Sequence, residues 1–149
     1  MRTWAAGSKG FTLLELLVVV AIVAMASASV ALAMRDSSRT QLEREAQRLA
    51  ALLDSARSLS RLSGVAVVWI PTAQGFRFDG LPGKALPTQW LADQTIARIA
   101  TPLLLGPEPI IGRQDIVLST TTQPDQVLHV VTDGLGPFSV QADAPTAPP

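Results

Sequence analysis

Nineteen consecutive residues, Leu16 to Met34, carry no charge. At about 1.5 Å per residue they span roughly 28 Å as a helix, close to a hydrocarbon core of about 30 Å. One membrane crossing is therefore available, and this run does most to raise the mean hydropathy of the 149-residue chain to +0.31. Directly before it stands Glu15. An ionised group costs about 2.5–3.5 kcal/mol at the centre of a spanning helix, less near its end, and usually has a partner. Glu15 would lie about one turn from the interface, so its presence asks for a reason without forbidding a span.

A secretory signal has a basic start, a core of about 7–15 apolar residues and a small-residue cleavage site after it. Here Arg2 and Lys9 come before Gly10, and the apolar run that follows is too long and is entered through a carboxylate. The stretch Lys9 to Leu16, "KGFTLLEL", followed by a long apolar helix, resembles the N-terminus of type IV pilins and type II secretion pseudopilins. That resemblance implies a prepilin peptidase cut between Gly10 and Phe11, methylation of the new N-terminal Phe11, and a filament-assembly role for Glu15. It also implies an inner-membrane protein with its C-terminal domain in the periplasm. A buried carboxylate paired with the free amine of Phe11 on a neighbouring subunit would favour one axial register, since a charge pair in low dielectric is retained only when both partners are present. Taken alone, Arg2 and Lys9 on one side against Arg35, Arg39, Arg44 and Arg48 on the other would place the C-terminal part in the cytoplasm. The arginines after the span are interleaved with Asp36, Glu43 and Glu45, and the processing motif outweighs the count.

Twelve Lys and Arg balance twelve Asp and Glu, but not evenly along the chain. Residues 85–149 hold Arg98 and Arg113 against six carboxylates, a net of −4, so no basic face for nucleic acid is expected there. Without Cys the chain has no disulfide and no thiolate metal site. No metal or other cofactor is expected: Asp125, Asp133 and Asp143 lack calcium-loop spacing. His129 is the single histidine, and a Ser-His-Asp site could be assembled from Ser119 or Ser139 and any of several Asp, but nothing like Gly-x-Ser-x-Gly marks a nucleophile. A structural histidine and a chain that is not an enzyme are the reading. "GLPGKA", Gly80 to Ala85, lacks the spacing of a phosphate loop.

No Pro or Gly interrupts the chain from Phe11 to Ser63, which predicts one helix of about 50 residues, with Gly64 as its C-terminal cap. Its first half, 11–34, is the membrane and assembly segment, in which Ala21, Ala24, Ala28 and Ala31 form a small-residue stripe. In the second half, 35–63, Leu42, Ala46, Leu49, Leu53 and Ala56 make an apolar stripe, while Glu43, Arg44, Arg48, Asp54 and Arg57 fall mostly off it. Short β signals follow: Val65 to Ile70 and Gly75 to Asp79 around "PTAQ", then a loop over Leu81 to Gln89. Four more come from "TIARIA", "DIVLS", "VLHVVT" and "FSVQA", which with the helix predicts an α+β domain of one antiparallel sheet over 64–142. Residues 1–10 read as a leader and 143–149, "DAPTAPP", as a disordered tail.

"LEREAQRLAALLDSARSLSRLSGVAVVW", "GFRF", Trp90 and "VVTDGLGPFSV" resemble the GspH/FimT group of minor pilins. There a Leu/Ala-rich helix leads to a Gly-x-x-x-x-Trp strand, here Gly64 to Trp69, and a Gly-x-x-Pro-Phe strand closes the domain, here Gly134, Pro137 and Phe138. The resemblance implies a minor pseudopilin of the type II secretion pseudopilus, near its tip, that links other minor pseudopilins to the major pseudopilin for export of folded proteins. Its partners are those subunits, prepilin peptidase and inner-membrane lipid, with no nucleic acid. The alternative is a FimT-like minor pilin of type IV pili that takes up DNA, which would need clustered Lys and Arg and show strong salt dependence.

Overall fold

The computed structural model describes residues 12–81, 83 and 85–142, and the side chains of these except 31–36. The chain divides into two units, Met1–Ser37 and Ser38–Pro149. Among the described residues there are one helix and seven strands: α1 (Leu13–Ser63), β1 (Val68–Thr72), β2 (Gly75–Asp79), β3 (Thr95–Arg98), β4 (Leu103–Leu104), β5 (Gln114–Thr120), β6 (Leu128–Thr132) and β7 (Ser139–Gln141). This is an α+β fold, as the sequence predicts.

In the first unit, α1 is apolar on every side. Leu13–Val30 has a mean hydropathy of 2.5, none of it is buried among the described residues, and it is long and apolar enough to cross a membrane. Its two hydroxyls are satisfied within the helix: Ser27 Oγ donates to the Val23 carbonyl at 2.8 Å and Ser29 Oγ to the Met25 carbonyl at 2.9 Å.

In the second unit the expected stripe is the core face. Leu42, Ala46, Leu49, Leu53 and Ala56 are buried with Ala50, and they form one apolar core with Val67, Trp69, Phe76, Leu105, Ile116, Leu118 and Val130. The helix ends where Gly64 takes φ +69, with its N–H on the Ser60 carbonyl at 2.9 Å.

The single sheet expected from the sequence is two antiparallel sheets, ordered β2-β1-β4 and β3-β5-β6-β7. The first sheet gains a strand with no sequence signal, β4, two residues long, which pairs Leu103 and Leu104 with Trp69 and Val68. Pairing continues as the Leu105 N–H donates to the Val67 carbonyl at 2.8 Å. Two residues cannot display a period of 2, so no alternation marks them. The first hairpin is also tighter than expected, with Pro71 and Thr72 inside β1 and Thr72 paired to Gly75. Pro71 faces Phe76, whose N–H points away to the Thr88 carbonyl at 2.8 Å, so a strand residue without a donor is tolerated there.

Aromatic packing centres on Phe76. Its ring lies 4.6 Å from Trp90, 5.8 Å from Phe78 edge-on and 5.9 Å from Trp69. In β6, Leu128, Val130 and Thr132 point inward while His129 and Val131 are half-buried on the other face.

Candidate functional site

Gly10 and Phe11, the expected cleavage and methylation residues, lie outside the described residues. Glu15 is described: it sits in the first turn of α1 with its side chain exposed. Its backbone N–H donates to Thr12 Oγ1 at 3.2 Å, and the Leu16 N–H donates to the Thr12 carbonyl at 3.1 Å. Thr12 is therefore the N-cap and Glu15 the third helical residue, the spacing of a capping box. A carboxylate in the first turn also meets the positive end of the helix dipole. Thr12 with Glu15 three residues on was a readable signal that the sequence analysis left unused, and it supplies a local reason for an acid at the mouth of an apolar run. Ala21, Ala24 and Ala28 are exposed, and the side chain of Ala31 is outside the description.

In the second unit, polar residues of α1 fasten two loops that periodicity had not linked to it. Arg57, placed off the stripe by the sequence, is buried at 4% exposure. Its Nη1 donates to the Gly136 carbonyl at 2.8 Å, and its Nη2 to the carbonyls of Gly134 at 2.5 Å and Pro109 at 3.2 Å. Burial lowers the Arg57 pKa, and Arg61 lowers it further, while Asp54 and Asp133 act in the opposite direction. Arg61 Nη2 joins at the Pro109 carbonyl, 2.6 Å away, and Asp54 Oδ1 accepts the Phe138 N–H at 3.2 Å.

The loop between β6 and β7 is shaped from within as well. Asp133 Oδ1 accepts the N–H groups of Leu135 at 2.9 Å and Gly136 at 2.8 Å. Those two donors, Gly136 first, hold the Asp133 carboxyl below its usual pKa. Thr132 Oγ1 accepts from the Gly134 N–H and donates to the Gly136 carbonyl, each at 3.0 Å. Gly134 has φ +92, and a Cβ there would overlap the Ile111 carbonyl, so only glycine fits. The expected Gly134, Pro137 and Phe138 segment is thus a loop locked onto α1, with Phe138 buried.

A second attachment lies one and a half turns or more toward the N-terminus. Glu45, 1% exposed, accepts the Leu91 N–H at 2.7 Å and an Arg48 Nη1 donor at 3.0 Å, and Arg48 also donates to the Gln89 carbonyl at 3.0 Å. This holds the chain on both sides of buried Trp90.

His129 is paired, with Nδ1 2.9 Å from Asp115 Oδ1 and the imidazole 13% exposed. Ser119 is buried on β5, and neither it nor Ser139 is hydrogen-bonded to His129 among the described residues. Asp115 and His129 are diagonal across the β5–β6 ladder, since Val117 is directly opposite His129. Such a pair is invisible until register is known.

Residues 6–31 match the family model of the prokaryotic N-terminal methylation motif. No curated protein and no solved structure matches the chain. The motif, the apolar helix and the α+β fold together support a type IV pilin-like protein. The motif fits processing by prepilin peptidase and assembly with other pilin subunits, and the apolar helix fits anchoring in the inner membrane.

Proposed function

We propose that this chain is a minor pseudopilin of the type II secretion pseudopilus, added near its tip and joining other minor subunits to the major pseudopilin. The observation that carries this reading is the methylation motif at residues 6–31, followed by a domain in which α1 is fastened to the Gly134–Phe138 loop. Prepilin peptidase cuts between Gly10 and Phe11, Phe11 is methylated, and Glu15 guides assembly. The β-rich domain, 64–142, faces the periplasm. Secretion is favoured over DNA uptake because residues 85–149 offer two arginines against six acids, the wrong balance for a phosphate backbone.

A strain lacking the protein tests this in one paired assay, the extracellular fraction of a secreted hydrolase and the frequency of natural transformation in the same cells. Hydrolase trapped in the periplasm with transformation unchanged is the expected result. Normal secretion with transformation or piliation lost would transfer the protein to a type IV pilus.

A further inference from the structure

We draw no further inference here: the strongest candidate, the exposed apolar residues Ile110 and Leu135 on the two loops that Arg57 ties together, carries nothing because nothing in the structure shows what covers it.

Discussion

Arg57 shows how a buried charge is made tolerable by what surrounds it. Its three carbonyl acceptors do not depend on it alone: Pro109 also receives Arg61, Gly134 receives the Ile111 N–H, and Gly136 receives Thr132 Oγ1. Arg57→Met therefore removes charge-assisted bonds without leaving bare carbonyls, and the buried Nε, which has no hydrogen-bond partner among the described residues, is removed as well. The expected loss is about 2 kcal/mol, against less than about 1 kcal/mol for exposed Arg61→Met, measured by chemical unfolding of the full chain in detergent through Trp69 and Trp90 fluorescence. Equal effects of the two changes would show that burial of Arg57 contributes nothing special. Asp133 adds a pH dependence. Its folded pKa lies below the unfolded value, so its contribution is complete above the ordinary aspartate range near 4 and is lost as pH falls through the folded pKa. Asp133→Ala should narrow the gap between unfolding midpoints at pH 7 and pH 3. Asp133→Asn keeps an oxygen for Leu135 and Gly136, so at pH 7 it should stay nearer wild type than the alanine variant while sharing its flatter response to acid.

At the scale of elements, α1 supplies one wall of the core and the strands supply the other. Leu49 is fully buried in the middle of that wall. Leu49→Ala should cost about 3 kcal/mol, whereas Ser55→Ala, whose exposed hydroxyl only returns to the Ala51 carbonyl at 2.8 Å, should change stability by less than about 0.5 kcal/mol in the same unfolding measurement. This wall was legible in the sequence because three- and four-residue spacing is a local property, and so was the stop at Gly64. Strands β2, β5 and β6 also announced themselves through alternation and β-branched residues. What stayed hidden depends on partners distant in sequence. The β4 strand exists because Leu103 and Leu104 meet β1, and the split into two sheets exists because neither β1 nor β2 pairs with any of β3, β5, β6 and β7. Glu45 and Arg57 look like solvated charges until the Gln89–Leu91 and Gly134–Gly136 segments are placed against them. Of the candidate site, the methylation motif that the family model matches over residues 6–31 was legible from residue order alone, and Thr12 could have been read as a cap by the same local logic.

Across the whole molecule, the two units differ in how they are satisfied. The second buries its own core, and its polar helix residues Glu45, Arg48, Asp54 and Arg57 all have partners within it. In the first, none of the apolar stretch Leu13–Val30 is buried among the described residues, and it is long and apolar enough to cross a membrane. Glu15 stands at the start of that segment with two possible roles that act at different scales. As the third residue of a capping box it would stabilise only the first turn, by about 0.5–1 kcal/mol, and a glutamine could replace it. As the partner of a Phe11 amine on the next subunit it needs its charge, and glutamine could not. Glu15→Val and Glu15→Gln should both leave membrane insertion and leader removal intact, because each removes a charge from the edge of the span. Under the pairing role both variants should fail to enter filaments, read as the fraction of the protein recovered with sheared pseudopili. If Glu15→Gln assembles like wild type while Glu15→Val does not, the capping role is sufficient and the intersubunit pair is wrong. If both assemble normally, Glu15 has no part in assembly.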